Sequence, residues 1–151
     1  MSLRFPFRSF RVPHPLISLQ GRTVRPRPII PVTLLGPVAA VARDCLLDSG
    51  SDDTVFPESV AIAAGIDLSN APTSSASGVG LQALTLRFTE VTLRIADRHE
   101  QREWSAWVGF TAARLRQPLL GFAGFLQWFD VLIRGEKEEV ELTVNGAYPG
   151  S

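Results

Sequence analysis

Leu46-Leu47-Asp48-Ser49-Gly50-Ser51-Asp52-Asp53-Thr54-Val55-Phe56 carries an acidic side chain out of a hydrophobic run into a tight polar turn. The leucines anchor a strand, Gly50 lets a backbone or a substrate come close, and the hydroxyls of Ser49 and Ser51 can bond to carboxylates or to backbone. This is how a catalytic carboxylate is presented. Asp-Ser-Gly has a plainer reading as a surface β-turn, because Asp, Ser and Gly are among the commonest turn formers. The flanking sequence has to decide between the two.

Upstream, residues 29–35 and 39–47 are rich in Val, Ile and Leu on either side of Gly36-Pro37, which predicts a hairpin delivering the chain to Asp48. Arg27-Pro28 opens its first strand. Downstream, Pro118-Leu119-Leu120-Gly121 is followed by Phe125-Leu126 and Phe129-Asp130-Val131. Together these stretches resemble the retropepsin-like (retroviral-type) aspartic protease family, in particular a single-domain cellular member. The likeness rests on the hydrophobic-hydrophobic-Asp-Thr/Ser-Gly-Ala/Ser loop, the Arg-Pro-hydrophobic first strand and the distal hydrophobic-Leu-Gly strand end. It covers residues 27 to 144.

The resemblance implies an all-β fold: an acid-protease (retropepsin-like) closed β-barrel with a flap hairpin and one or two short helices, one lobe per chain. It makes Asp48 the catalytic carboxylate, Ser49 the residue that interlocks the two loops of a dimer, and Gly50 the place where a backbone carbonyl meets substrate. Asp52 and Asp53 stand where the family binds substrate main chain, and Gly78-Val79-Gly80 where the tip of the flap closes over it. No metal or cofactor is expected. One departure is visible: after the distal Leu-Gly the family has Arg or Lys and then Asp or Asn, where this chain has Phe122-Ala123. In retroviral members that arginine pairs with the acid matching Asp52, and the arginine matching Arg27 reaches the same acid across the dimer. Arg27 is therefore the expected partner of Asp52 in a second copy.

Aspartic proteolysis needs two carboxylates on one water, one as general base and one as general acid. At about 4 Å and an effective dielectric near 20, two such charges repel by about 4 kcal/mol, or roughly three pK units. A close pair therefore holds one shared proton. This chain has a single Asp-Ser-Gly loop, so the second carboxylate is expected from another copy, in a C2 homodimer with its axis through the site. The Ser51 hydroxyl is expected to donate to the charged dyad, extending activity into acid.

Bulk properties fit one small domain: 151 residues, 45% hydrophobic and 20% charged. The single cysteine, Cys45, excludes an internal disulfide framework and reads as a buried core residue. With only His14 and His99 beside it, neither a cysteine nucleophile nor a zinc site is expected. The zero net charge hides an asymmetry. Residues 1–43 carry seven arginines and no acid, leaving 8 bases against 15 acids, a net −7, in the remainder. Residues 1–26, with Pro6, Pro13, Pro15 and Pro26 among the arginines, read as a basic extended or irregular arm, propeptide-like, before a domain over 27–146 and a tail over 147–151. No apolar run has signal-peptide or transmembrane length, so the cytoplasm is the default location.

Further along, Pro57-Glu58-Ser59 opens an Ala-rich segment ending near Gly65, a short helix with proline in its first turn and a glycine stop. Residues 70–80 are small and polar and predict a loop before the strand marked by Leu84, Leu86 and Phe88. The apolar phase shifts between Phe88 and Val91, which predicts a bulge or turn at Thr89-Glu90. Trp104, Ala106 and Val108 mark another strand. Phe122, Phe125, Leu126 and Phe129 stand at helical spacing, and residues 131–134 and 140–144 close the chain as strands.

The expected function is aspartic endopeptidase: a homodimer cleaving peptide or protein substrate with a water activated by Asp48 of each subunit. The alternative is a noncatalytic retropepsin-like dimerisation or peptide-binding module. Nucleic-acid binding by the basic arm is a third, weaker reading, and neither a nucleic acid nor a membrane is the expected partner.

Overall fold

The computed structural model describes residues 2–76 and 83–151. Strands account for 57% of the described residues and helix for 7%, so the fold is all-β. Three strands, β1 (Ser2–Pro6), β2 (Arg8–Leu16) and β3 (Arg22–Arg27), precede the expected hairpin of β4 (Ile29–Leu35) and β5 (Ala40–Leu47). After the aspartate loop come β6 (Val55–Pro57), helix α1 (Glu58–Ala64), β7 (Thr73–Ala76), β8 (Leu84–Ala96) and β9 (Gln101–Thr111). The two-residue β10 (Leu119–Leu120), β11 (Phe129–Arg134) and β12 (Glu139–Val144) end the series. They form a seven-stranded sheet in the order β4-β5-β10-β6-β9-β8-β7, a three-stranded sheet β1-β12-β11, and a two-stranded ribbon β2-β3. β4 also bonds to β8, so it has a neighbour on each side.

Strand periodicity places the core. Ile30, Val32 and Leu34 of β4 point inward at period two and are buried with Cys45 and Leu47 of β5. Helix α1 buries Val60, Ala61 and Ala64, starts after Pro57 and stops at Gly65, whose φ of 78° is left-handed. Its last carbonyl, Ala64, accepts from Val38 N–H (3.0 Å) and Ala39 N–H (3.4 Å) of the β4–β5 turn. A side chain on Gly36 would run into that same carbonyl, which is why the turn needs glycine there.

Several expectations are corrected. The stretch 1–26 is not an arm apart from the domain, since β1 pairs with β12 from Ser2↔Thr143 to Pro6↔Glu139 and buries Leu3 and Phe5 in the common core. The alternation of Leu3 and Phe5 outweighs the local preference of the prolines, because an edge position tolerates Pro6. The boundary at 26 falls inside β3. The loop expected over 70–80 includes a strand, β7, paired with β8 from Thr73↔Arg87 to Ala76↔Leu84. β8 has no bulge at Thr89-Glu90, because its register to β9 runs unbroken from Arg87↔Phe110 to Ala96↔Gln101. The phase shift marks a change of second neighbour instead, from β7 beside residues 84–87 to β4 beside residues 92–94.

Residues 121–128 are turns rather than a helix. Leu126 N–H donates to Gly121 O and Gln127 N–H to Phe122 O, both five residues back, and Gly124 takes a φ of 90°, which a right-handed helix excludes. Phe125 and Phe129 still turn inward, because Trp104 is there to meet them, with ring centres 5.9 Å and 5.1 Å away. The Trp104 indole N–H donates to Gly124 O at 2.9 Å and fixes that turn. Trp107, by contrast, is 55% exposed. The tail over 147–151 is also tied down: Tyr148 packs on Trp104 and Phe129, and Ser151 exchanges backbone hydrogen bonds of 3.0 Å with Glu103.

Candidate functional site

The aspartate loop leaves β5 between two flanking segments. On one side Leu47 N–H donates to Pro28 O (3.0 Å), and the β4–β5 register, Ile29↔Leu46, carried two residues further sets Arg27 abreast of Asp48. On the other side Leu46 N–H donates to Pro118 O (2.8 Å) and Asp48 N–H to Leu120 O (3.0 Å). β10 thus lies in the slot between β5, to which it is parallel, and β6, to which it is antiparallel. The two segments singled out in the sequence, Leu46 to Phe56 and Pro118 to Gly121, are neighbours in space.

Within the loop, Ser51 N–H closes a turn on Asp48 O (3.1 Å), and Gly50 N–H donates to Asp48 Oδ1 (3.0 Å). One carboxylate oxygen is therefore held by backbone. The far side of the loop is bound to the residues after β10: Phe122 N–H donates to Ser51 O and Ala123 N–H to Asp52 O, both at 2.9 Å. Thr54 is the bolt. Fully buried, it donates its hydroxyl to Ala123 O (2.8 Å) and accepts from Gly121 N–H (3.3 Å), while its backbone bonds to Ala123 and Gly109. A methyl group on Gly121 would meet the Asp53 carbonyl and lie 2.6 Å from Ser51 O, so the close approach demands glycine.

Asp48 is partly exposed, and Ser49, Gly50 and Asp52 are exposed. Asp53 is partly buried, and that burial, with Asp52 beside it, pushes its carboxyl above the usual range. Among the described residues no cation lies within ion-pair distance of Asp48, Asp52 or Asp53, and none of the three pairs with Arg27 inside one chain. Arg27 is itself held below its usual value by burial, then by Arg116 and Arg25, and among the described residues no carboxylate lies within ion-pair distance of it. The Ser51 hydroxyl does not serve Asp48, because it is spent on Asp53 O at 2.7 Å. Phe122 is 59% exposed. The Cys45 thiol is buried, and that burial, then Asp44, pushes it up.

The structure thus brings Asp48, Ser49, Gly50, Asp52 and Asp53 into one loop. Gly78, Val79 and Gly80 lie outside the described residues. Thr54 is the residue that sequence reasoning passed over, although its place between a charged turn and the apolar Val55-Phe56 signals a buried polar group in need of partners. One carboxylate held this way can act as a base or as an acid, but not both at once. Among the described residues no group of three or more His, Cys, Asp or Glu is placed to hold a metal ion, and no helix is long and apolar enough to cross a membrane. No protein-family model matches the chain, and no curated protein does.

Proposed function

We propose that this protein is a homodimeric aspartic endopeptidase of the retropepsin-like kind, with Asp48 of each subunit forming the dyad. The observation that carries the reading is the placement of Asp48. It sits in a loop tied to its surroundings by hydrogen bonds within one chain, with Oδ1 oriented by Gly50 N–H and the outer edge open. The pairing series β4-β5-β10-β6-β9-β8 returns to β4 and supports a closed barrel. Spatial contact between the two signature stretches supports the family likeness, since the sequence alone left them seventy residues apart.

In the proposed mechanism the two Asp48 carboxylates share one proton. The ionised one takes a proton from water as the water attacks the scissile carbonyl, and the protonated one hydrogen-bonds to the carbonyl oxygen. Gly50 and the carboxylates of Asp52 and Asp53 line the path of an extended peptide. A noncatalytic dimerisation or peptide-binding module is the second reading, favoured by Phe122 where an acid-pairing cation is expected.

Asp48→Asn separates them. For the enzyme, turnover of an unstructured protein substrate falls by at least roughly 10²–10⁴-fold, the fold stays intact, and excess mutant poisons wild type through mixed dimers. Undiminished hydrolysis by purified Asp48→Asn rejects the dyad. Absence of any hydrolysis by wild type, together with retained peptide binding, selects the module.

A further inference from the structure

The β2–β3 ribbon has no assigned role and no cover. It belongs to neither larger sheet, and no residue of either strand is buried. Its tip carries Ile17, 98% exposed. Two strands alone are marginal in water, and this pair is tethered to its own body by two exposed ion pairs, Arg8–Asp44 at 2.6 Å and Arg22–Glu138 at 3.0 Å. Such pairs contribute little. The ribbon is therefore a strand pair lacking a surface to lie on.

Its root and its charge name that surface. β3 ends at Arg27, abreast of Asp48, so an axis passing through the two Asp48 loops passes beside the root of both ribbons. Each ribbon then springs from the interface itself. In β2 and β3 the pairs Arg8↔Arg27 and Phe10↔Arg25 share one face, while Ser9↔Pro26 and Arg11↔Val24 share the other. Among the described residues Arg25 and Arg27 have no carboxylate within ion-pair distance, whereas Arg8 on the same face is satisfied by Asp44. The rest of the chain from residue 44 is acidic by seven charges, and among the described residues no cation lies within ion-pair distance of Asp52 or Asp53 in the loop. Cations unmatched in one chain and acids unmatched in the same chain, on either side of one loop, are complementary when a second copy is rotated onto the first.

We infer that the β2–β3 ribbon is a dimer clasp, laying its Phe10–Arg25–Arg27 face on the acidic body of a second copy of this chain. This rests on the dimer of the proposed function and adds a contact, Arg25 with Phe10, outside the catalytic loop.

The test is sedimentation velocity of the full chain over a dilution series, at low and high salt, for wild type, Arg25→Glu, Arg25→Gln and the opposite-face Arg11→Glu, with thermal melts to confirm folding. Arg25→Glu is expected to raise the dimer dissociation constant roughly a hundredfold and Arg25→Gln by less. Arg11→Glu leaves it unchanged, and added salt weakens wild type more than Arg25→Gln. If wild type dimerises and is poisoned by Asp48→Asn while both Arg25 variants dimerise equally well, the clasp is wrong and the dyad stands. A wild type that is monomeric at every concentration overturns both. Intact dimers combined with weaker binding of a single-stranded oligonucleotide by the Arg25 and Arg11 variants alike would make the ribbon a nucleic-acid contact and also overturn the clasp.

Discussion

The aspartate loop and the N-terminal ribbon are both short, polar and rich in turn formers, yet the chain treats them in opposite ways. Around the loop, Asp48 N–H, the carbonyls of Ser51 and Asp52, and Thr54 down to its hydroxyl are matched by residues 109 and 120–123 of the same chain. The ribbon matches its own strands and little else. The ties of the loop are thus hydrogen bonds made within one chain, while among the described residues Asp52 and Asp53 on one side and Arg25 and Arg27 on the other have no ion-pair partner. Hydrogen bonds within one chain hold the carboxylate in place on the closed side of the loop, and the unpaired charges mark the open side that the proposed dimer would use.

The largest expected effect tests the open side. Arg27→Ala removes the cation that, in the proposed dimer, faces Asp52 of a second copy; where dimerisation desolvates that pair, losing one partner costs roughly 3–5 kcal/mol, two to four decades in the dimer dissociation constant. Arg8→Ala loses only the exposed pair with Asp44, worth at most about 1 kcal/mol. Sedimentation across a dilution series should show the first variant dissociating at concentrations where the second does not. Equal behaviour of Arg27→Ala and wild type would mean that the interface lies elsewhere.

The closed side is next. Gly121→Ala drives a methyl into the Asp53 and Ser51 carbonyls and is expected to cost about 3 kcal/mol, with the loop displaced and activity lost even in protein that still folds. Thr54→Val keeps the shape but leaves Ala123 O and Gly121 N–H short of a partner, at about 1–3 kcal/mol. Denaturant melts measure both, and a Thr54→Val melt at the wild-type midpoint would remove the bolt from the account. Ser51→Ala loses one bond to Asp53 O, about 1 kcal/mol, and leaves the acidic limb of the rate profile where it is. A shifted limb would show that the hydroxyl reaches Asp48 after all.

What could be read in advance follows the same division. The β4–β5 hairpin, helix α1 with its proline start and glycine stop, and the Asp48 loop were legible because each is decided by neighbours in sequence. Phe122, Phe125, Leu126 and Phe129 misled because their spacing suits a helix, while the contact that sets them, Trp104, lies on β9 and meets Phe125 and Phe129 through turns centred on Gly124. β1 was hidden by Pro6 and Arg4, although its place is set by β12 at the far end of the chain. Of the loop's surroundings, Gly121 stood out in the sequence as part of the distal Leu-Gly, while Thr54 acts through backbone groups seventy residues away and did not.

The smallest effect links the two sides. Burial and Asp52 raise the Asp53 carboxyl above its ordinary value, so between the ordinary and the raised value the folded state binds more protons than the unfolded one. Stability therefore falls as pH rises through that window, and the penalty is present in full above it. Asp53→Asn cannot ionise. It is expected to melt slightly above wild type at neutral pH, with the difference disappearing in acid, below the ordinary carboxylate range. Calorimetry across that range checks the sign, and a gain that is equally large in acid would assign it to packing instead of charge. Protein concentration sharpens the comparison further. If a second copy brings its cations to this loop, the penalty on Asp53 is relieved in the dimer, and the advantage of Asp53→Asn should shrink as concentration rises. An advantage independent of concentration would leave the acids of the loop facing water in the assembled protein too.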